Sequence, residues 1–202
     1  MSMTLQDLSR EASGCTRCRL AKGRTQVVFG VGNPHADLMF IGEGPGYYED
    51  KQGEPFVGAA GQLLTRLLGE IGLRREDVYI CNVVKCRPPG NRDPMPDEIE
   101  SCRPFLLGQL EHVRPRVIVT LGNFATRVIL DKQVSISRVR GQRFPIDGRE
   151  VIPTFHPAAV LHGGGESGTQ MASLRSDFRL IREVLDEPVP EPAMAEEQLG
   201  LF

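Results

Sequence analysis

The sequence lacks the features of a membrane-spanning or exported protein. Its 202 residues contain no run of about 18 or more apolar residues, so no segment is predicted to cross a bilayer. The first residues show no basic stretch followed by an apolar one, which is the pattern of a secretion signal. We therefore expect a cytoplasmic protein with one well-filled core, or with one core and a tail.

A disulfide framework is not predicted either, because five cysteines in a chain without an export signal favour a metal site or a cluster. Cys15 and Cys18 form a Cys-x-x-Cys pair, and fifteen residues separate Cys86 from Cys102. This spacing matches neither a zinc ribbon nor the common ferredoxin pattern. Four thiolates suit either zinc or an iron–sulfur cluster. Cys81 falls within a predicted strand and is interpreted as a core residue.

The formal net charge of −2 conceals an acidic end and a basic remainder. Residues 186–202 contain five acidic residues and no Lys or Arg, so removing those five negative charges leaves the chain at +3. Most of the positive charge is on Arg, a good partner for phosphate, so nucleic acid is a permitted ligand. A GC-rich genome, whose codons favour Arg, would explain the same composition. Residues 186–197 are also rich in Pro, Glu and Ala, which predicts a flexible linker.

Apolar runs alternate with helical patterns over the rest of the chain. The predicted strands are residues 36–41, 77–84, 116–121 and about 150–155. The predicted helices are residues 59–71, 97–113 and 169–185, with a further helix opening at Gly122. Strands separated by helices predict an α/β fold, with a mostly parallel sheet between two layers of helices. Asp147-Gly148 predicts a tight turn before the last strand.

Polar motifs lie near the ends of three of these strands. Gly42-Glu43-Gly44-Pro45-Gly46 follows the first strand, Asn82 lies near the end of the second, and His156-Pro157 follows the fourth. Parallel α/β sheets bind ligands outside the carboxyl ends of their strands. The pattern alone therefore predicts a functional site at this edge. Neither of the glycine-rich nucleotide-binding fingerprints is present.

Taken together, the motifs resemble those of the family 4 uracil-DNA glycosylases, the thermostable iron–sulfur type of bacteria and archaea. The residues that carry the resemblance are Cys15-x-x-Cys18, Gly42 to Gly46, Pro55-Phe56-Val57-Gly58, Asn82 to Pro89, Cys102 and Phe155-His156-Pro157. The resemblance implies a three-layer α/β/α sandwich around a four-stranded, mostly parallel sheet, in a domain of residues 1–185. It also implies removal of uracil from DNA at the start of base excision repair. The implied cofactor is a [4Fe–4S] cluster held by Cys15, Cys18, Cys86 and Cys102.

The resemblance also assigns uracil-binding residues. They are Gly42, Glu43, Gly44, Phe56, Asn82 and His156. Phe56 would stack on the base, Asn82 would distinguish uracil from cytosine by hydrogen bonds, and His156 would donate to uracil O2 as the bond breaks. The glycines would let the backbone approach the base and sugar closely. In isolation, the favoured interpretations are a core residue for Phe56, a loop cap for Asn82 and a structural histidine for His156.

The residue that activates water is less well defined. Better-known uracil glycosylases carry an Asp at the position that aligns with Gly44, and this chain does not. The catalytic candidates are His156, Glu49, Glu43 and Asn91. Glu49 is our preferred residue for water, although residues 49–51 also have the composition of a solvated charged surface. Tyr47-Tyr48 stands where the family more often has acidic residues, and would narrow the pocket or contact DNA.

DNA contacts are expected on the loop after His156 and on nearby arginines. Leu161 would enter the space that the flipped base leaves in the duplex. The candidate phosphate contacts are Arg138, Arg140 and Arg143, each of which is equally interpreted as a solvated surface residue. The basic insert of relatives that become trapped on DNA is missing, so we expect ordinary turnover.

The last five residues resemble the short peptide by which bacterial repair and replication proteins dock on the sliding clamp. The clamp-binding residues would be Gln198, Leu199, Leu201 and Phe202. Such a tether would raise the local concentration of the enzyme on replicating DNA. The alternative is that the apolar end folds back onto the body.

Two other functions explain parts of the sequence. A non-catalytic iron–sulfur DNA-binding adaptor would account for the cysteines and the tail, and not for Phe56, Asn82 and His156 at the strand ends. A glycosylase for another damaged base, such as hypoxanthine, would use the same fold, and Asn82 makes uracil the better prediction. We expect a monomer associated with the nucleoid.

Overall fold

The computed structural model describes residues 3–165 and 168–188. The strands found there are β1 (Val31–Gly32), β2 (Leu38–Gly42), β3 (Tyr79–Asn82), β4 (Val117–Leu121), β5 (Phe144–Ile146) and β6 (Arg149–Thr154). They form one sheet in the order β1-β3-β2-β4-β6-β5. The four inner strands are parallel, and β1 and β5 pair antiparallel at the two edges. The sheet is therefore mixed and mostly parallel.

The expected number of four strands is wrong, because the structure adds an edge strand on each side. β1 has two residues and β5 has three, which is too short for an alternation of apolar and polar residues to be recognised. Antiparallel pairing with a longer neighbour holds each of them in place. β5 and β6 form a hairpin across Asp147 and Gly148, whose φ angles of 49° and 74° confirm the predicted turn.

Helices cover both faces of the sheet. They are α1 (Leu5–Ser13), α2 (Tyr47–Gln52), α3 (Ala59–Glu70), α4 (Pro96–Val113), α5 (Gly122–Leu130), α6 (Ile136–Val139), α7 (Pro157–His162) and α8 (Thr169–Asp186). The predictions of α3, α4 and α8 are confirmed to within one residue at each end, and α5 opens at Gly122 as predicted. None of the helices in the described part of the chain is long and apolar enough to cross a membrane.

α8 includes Asp186, the first residue of the predicted linker. Asp186 ends the helix, and Glu187 pairs with Arg143 over 2.6 Å. Arg116 donates to the carbonyl oxygen of Glu187 over 2.7 Å. These contacts hold the first residues of the predicted linker against the body. The remainder of the linker and the predicted clamp peptide, residues 189–202, lie outside the described residues.

Two apolar cores lie on the two faces of the sheet. Successive side chains of a strand point to opposite faces, so Met39 and Ile41 of β2 join one core, and Leu38 and Phe40 join the other. The first core is completed by α1, α4 and α5, and the second by α3, α7 and α8. The predicted layers of helix, sheet and helix are present. The carboxyl ends of the parallel strands lie at one edge of the sheet, which is where the sequence predicts the site.

Candidate active site

The ends of β2 and β3 place two predicted site residues side by side. Gly42 and Asn82 are partners in the parallel register, at the last position of each strand. The pairing continues beyond the strands, because Val83 donates to the carbonyl oxygen of Gly42 (2.9 Å) and Val84 to that of Glu43 (3.1 Å). The glycine-rich loop after β2 is therefore held against the chain that follows Asn82.

The Asn82 side chain is buried, and its oxygen is unused. The residue is 2% exposed, and Oδ1 has no hydrogen-bond partner among the described residues. Its backbone is tethered, because Nζ of the buried Lys85 donates to the Asn82 carbonyl oxygen over 2.6 Å and also to Gln109 Oε1. A buried oxygen without a donor costs about 1–3 kcal/mol. Such an atom is expected where a ligand supplies the missing donor.

The Phe56 ring approaches the same point as the Asn82 amide. A Cβ added to Gly42 would lie 2.4 Å from Asn82 Oδ1 and 2.7 Å from Phe56 Cζ. Phe56 has a φ angle of 55°, a left-handed conformation that is strained for a bulky residue. Gly61 permits it, since a Cβ there would meet the Phe56 carbonyl oxygen at 1.7 Å. The ring stacks on His156, with centroids 5.6 Å apart and planes inclined by 27°.

His156 is neutral, with its proton on Nε2. It precedes α7, and its Nδ1 accepts a hydrogen bond from the backbone N–H of Ala158 over 3.1 Å. A ring nitrogen that accepts carries no proton, so the neutral ring has its N–H at Nε2. Burial lowers the pKa of His156 to about 4, and the negative charge of Glu49 opposes this shift only in part. At neutral pH the side chain is an uncharged hydrogen-bond donor.

Glu49 is held by the beginning of α3. Its Oε1 accepts from the backbone N–H groups of Val57 (2.9 Å) and Gly58 (3.1 Å). Both N–H groups precede Ala59, the first residue of α3, so they hold the Glu49 carboxylate near the N-terminus of that helix, where a negative charge is favoured. Its Oε2 lies 2.7 Å from the position of a Cβ on Gly46. One oxygen therefore fixes the side chain, and the other faces the glycine-rich loop.

Glu43 holds a proton more tightly than an ordinary carboxyl group does. Burial raises the pKa of Glu43 to about 7, and the negative charge of Asp93 adds to the shift. Asp93 lines the same cleft as Glu43. Near neutral pH, Glu43 is therefore divided between its protonated and ionised forms.

These side chains line one cleft of about 630 Å³, within the size range of small-molecule sites. The predicted residues in its wall are Glu43, Gly44, Glu49, Phe56, Asn82, Asn91 and His156. Tyr47, Tyr48 and His162 also line it. The Asn91 Oδ1 accepts from Arg87 Nε over 2.6 Å, so the amide N–H groups of Asn91 are the part left for a ligand.

Four cysteines line a separate cavity, bounded by α1, α4 and the loop after β3. They are Cys15, Cys18, Cys86 and Cys102. Cys81 is fully buried in the core, in agreement with its interpretation. Arg24 Nη1 lies 3.4 Å from Cys86 Sγ, and the backbone N–H of Lys85 donates to Cys102 Sγ over 3.3 Å. Within residues 3–165 and 168–188, no group of three or more His, Cys, Asp and Glu side chains is arranged to hold a single metal ion.

Comparison with known proteins identifies the family. The sequence profile of the Uracil DNA glycosylase superfamily matches residues 29–179. The chain is 48% identical over 195 residues to the type-4 uracil-DNA glycosylase of Archaeoglobus fulgidus, which covers 93% of this chain and 96% of that protein. It is 55% identical over 161 residues to the type-4 uracil-DNA glycosylase of Thermotoga maritima, covering 78% and 83% respectively. The chain belongs to the type-4 uracil-DNA glycosylase family.

Membership of this family confirms the resemblance carried by the sequence motifs. A type-5 uracil-DNA glycosylase of Pyrobaculum aerophilum is less similar, at 33% identity over 146 residues and 64% of each chain. The type-4 assignment therefore agrees with both the higher identity and the greater coverage.

In this type-4 family member, two of the predicted DNA-contact arginines are engaged within the protein. Arg140 Nε donates to Oδ2 of Asp177 over 2.9 Å, Nη2 contacts the other oxygen, and Asp177 is 2% exposed. Arg143 pairs with two carboxylates, one of which is Glu187. These partners disfavour a phosphate contact for either arginine. Arg138 in α6 is exposed and forms no ion pair within the described part of the chain, so its DNA contact stays a prediction.

Leu161 lies on α7, half-buried, and packs against the core on that face of the sheet. It lines a second cleft, which adjoins the first at Phe56. Arg66 and Arg75 line this second cleft as well. Its predicted role as a wedge in DNA remains a prediction.

Sequence reasoning misses three charged residues that shape the type-4 site. Lys85 tethers the Asn82 backbone, Arg87 holds Asn91, and Asp93 raises the pKa of Glu43. Lys85 and Arg87 lie within the Asn82 to Pro89 motif, so a signal for them exists. Asp93 has no local signal, since its effect depends on folding beside Glu43.

Proposed function

We propose that this chain removes uracil from DNA by hydrolysing the N-glycosidic bond, the step that starts base excision repair. The observation that carries the proposal is the unpaired, buried oxygen of Asn82 in a cleft with the neutral His156. Uracil offers an N–H at N3 and carbonyl oxygens at O2 and O4, which complement an amide and a ring N–H. Cytosine has no N–H at N3 and an amino group in place of O4. It would leave these buried groups unpaired, which permits strong discrimination.

The target nucleotide must leave the base stack before it reaches the cleft. Unstacking costs a few kcal/mol, and stacking on an aromatic ring returns about 1–3 kcal/mol per base. Phe56 is the proposed stacking partner. Its left-handed backbone conformation is possible because Gly61 has no side chain to collide with it. Leu161, in the adjoining cleft, is the proposed wedge in the duplex.

The bond that breaks joins uracil N1 to the sugar C1′. Its electron pair leaves with uracil, and negative charge spreads to O2. The Nε2–H of His156 is proposed to donate to O2 and to stabilise this charge without transferring its proton. The sugar becomes cationic at C1′, water adds its oxygen there, and the water gives up a proton. The uracil anion takes up a proton from solvent, which balances the proton that water gives up, so the products are uracil and an abasic site.

Glu49 is the proposed residue that orients the water and accepts its proton. Its Oε1 is fixed by two backbone N–H groups, which leaves Oε2 for the water. Glu43 is proposed to stabilise the cationic sugar in its ionised form, because its carboxyl group lines the same cleft. Asn91 would help to position the water through its amide N–H groups, since its Oδ1 already accepts a hydrogen bond from Arg87.

Base release from uracil-containing oligonucleotides tests the proposal, with strands containing cytosine, thymine or hypoxanthine as controls. We expect release of uracil alone by the wild type. Asn82→Ala removes two buried hydrogen bonds and should lower kcat/KM by roughly 100-fold. Asn33→Ala, outside the cleft, should behave as wild type. A folded wild-type protein that releases no base from any strand would contradict the proposal and favour a non-catalytic adaptor.

The proposed cofactor is a [4Fe–4S] cluster held by Cys15, Cys18, Cys86 and Cys102. The support is that these four thiols line one cavity, in a chain that belongs to the type-4 family. Four thiolates are the usual ligands of such a cluster. When bound, it would join the segment after α1 to α4 and to the loop after β3, which is a structural role.

Iron and sulfide analysis of protein purified under low oxygen tests the cofactor. We expect iron and visible absorbance in the wild type, both lost in Cys86→Ser and both kept in Cys81→Ala. Zinc in place of iron in the wild type would contradict the cluster.

Docking of residues 198–202 on the bacterial sliding clamp is proposed from the sequence alone. The support is the group of Gln198, Leu199, Leu201 and Phe202 at the end of an acidic segment. Deleting residues 198–202 should abolish clamp binding and leave base release from short oligonucleotides unchanged. Clamp binding that survives the deletion would contradict the docking proposal.

A further inference from the structure

Arg87 carries an unbalanced positive charge beside the uracil cleft. It lines a neighbouring groove with Arg19 and Arg92. Both of these are neutralised by acids of α4, since Arg19 pairs with Asp97 and Arg92 with Glu98, each over 2.6 Å. Arg87 forms no ion pair with any residue that the structure describes.

The Arg87 guanidinium is held from two sides. Its Nε donates to Asn91 Oδ1 over 2.6 Å, and its central carbon lies 5.1 Å from the centroid of the Tyr47 ring. The loop makes the first contact possible, because Gly90 and Asn91 have φ angles of 64° and 55° and turn the chain back. Glycine and asparagine tolerate this left-handed conformation. The two supports fix the direction of the remaining N–H groups.

The remaining donors of Arg87 suit a phosphate group. A guanidinium has five N–H groups, of which Asn91 takes one. The N–H groups on Nη1 and Nη2 form a planar fork that matches two phosphate oxygens. Arg87 is half-buried, so solvent screens its charge less than that of a fully exposed side chain. Lys51, 5.9 Å from the Tyr47 ring, adds a second positive charge at this rim.

We propose that Arg87 binds a backbone phosphate of the uracil-containing strand, next to the flipped nucleotide. Tyr47 and Asn91 hold Arg87 and also line the uracil cleft, so a nucleotide in the cleft brings its flanking phosphates to this rim. This inference rests on the proposed uracil-DNA function. It assigns Tyr47 the task of supporting the guanidinium, and it supplies a phosphate contact that Arg140 and Arg143 do not.

Oligonucleotides with a neutral methylphosphonate on one side of the uridine or the other test this contact. Binding of the uncleaved strand and kcat/KM for base release are both measured for wild type, Arg87→Gln and Arg114→Gln. Arg114 is the matched control, because it is exposed at the end of α4, away from the carboxyl ends of the strands. One of the two methylphosphonate strands, the one in which the phosphate contacted by Arg87 is neutral, should bind the wild type and Arg114→Gln roughly tenfold more weakly than the unmodified, charged strand does. Arg87→Gln should not distinguish the two strands.

Salt dependence and the supporting ring give two further readouts. On single strands, the slope of log affinity against log salt should become less negative by about 0.7 in Arg87→Gln. It should be unchanged in Arg114→Gln. Tyr47→Phe keeps the ring and should keep the discrimination, whereas Tyr47→Leu should reduce it. Thermal unfolding and iron content should be unchanged in Arg87→Gln, which checks that the neighbouring Cys86 is undisturbed.

The inference is overturned if Arg87→Gln distinguishes charged from neutral strands as well as the wild type does. An equal loss on both strands also overturns it, because that result indicates a structural role. Wild type that binds with the expected phosphate preference and releases no uracil would support the Arg87 contact and contradict the proposed function.

Discussion

Gly42 lies directly against the Asn82 amide, because a Cβ added to Gly42 would lie 2.4 Å from Asn82 Oδ1. Their pairing at the ends of β2 and β3 produces this approach. Phe56 Cζ would lie 2.7 Å from the same Cβ. The missing side chain of Gly42 therefore leaves room for both the amide and the aromatic ring.

Gly42→Ala should abolish most base release and leave the fold largely intact. The added methyl group must displace Asn82 or Phe56, and a displacement of about 1 Å in an active site can cost roughly 100-fold in rate. Gly69→Ala is the matched control, because an added Cβ there meets no described group within 4 Å. It should keep full activity and gain about 0.5–1 kcal/mol in free energy of unfolding, since Gly69 lies within α3. Wild-type kcat/KM in Gly42→Ala would show that the base binds elsewhere.

His156→Ala should lower kcat by about 10²–10³-fold, because it removes the donor proposed to stabilise charge on the leaving base. Burial holds the pKa of His156 near 4, so the ring stays uncharged above about pH 5.5. No loss of activity centred on the ordinary histidine value of 6.5 should therefore depend on His156. His35→Ala, exposed before β2, is the control for single-turnover rates across pH. An acid limb near 6.5 that vanishes only in His156→Ala contradicts this prediction.

Glu43→Gln should stabilise the protein at alkaline pH and much less at acid pH. Burial, aided by Asp93, raises the pKa of Glu43 from 4.5 to about 7. Between these values the folded protein binds a proton that the unfolded chain has lost, so stability falls as pH rises, until about pH 7. The free energy of unfolding of Glu43→Gln should exceed that of wild type by on the order of 1–2 kcal/mol at pH 8, after allowance for solvent screening. An equal difference at pH 5 and pH 8 would contradict the assignment.

The same substitution tests the proposed catalytic role of Glu43. If the ionised carboxylate stabilises the cationic sugar, wild-type kcat should fall as pH drops below about 7. Glu43→Gln should be slower at pH 8 and should not show that fall. Glu76→Gln, an exposed residue paired with Arg74, provides the control with unchanged kinetics. A variant whose pH profile matches that of wild type would remove Glu43 from the mechanism.

Asp177→Ala should destabilise the fold strongly, because it leaves the partly buried Arg140 guanidinium and the buried Thr154 hydroxyl without their acceptor. Asp177 accepts from Arg140 and, over 2.5 Å, from Thr154 Oγ1, and it is 2% exposed. Removing one partner of a buried pair typically costs about 3–5 kcal/mol, which denaturant unfolding would measure. Asp186→Ala breaks an exposed pair with Arg182 and should change stability little. Similar stabilities of the two variants would show that the Arg140 pair is not structural.

Long buried strands and the motifs that follow them are predictable from the sequence. β2 and β4 are nearly continuous apolar runs, interrupted only by Thr120 in β4, because inner parallel strands are buried on both faces. Asn82 ends β3, and His156 follows β6. Because β3 and β6 run parallel in the same sheet, these two residues must lie at the same edge of it. Motif spacing then indicates the family, which the comparisons confirm.

The edge strands are not predictable, because two or three residues carry too little pattern. β1 and β5 exist because longer strands pair with them, and such pairing depends on distant parts of the chain. The role of Arg140 depends in the same way on Asp177, which lies 37 residues further along the chain.

The sequence by itself determined the order of the inner elements and the set of polar residues at their ends, since hydrophobic period and motif spacing are local properties. Only the tertiary structure decided the state of those residues. It left Asn82 Oδ1 unpaired, kept His156 neutral with its proton on Nε2, and raised the pKa of Glu43 to about 7. Hydrogen-bond partners, burial and neighbouring charge come from groups far apart in the chain, so they exist only after folding.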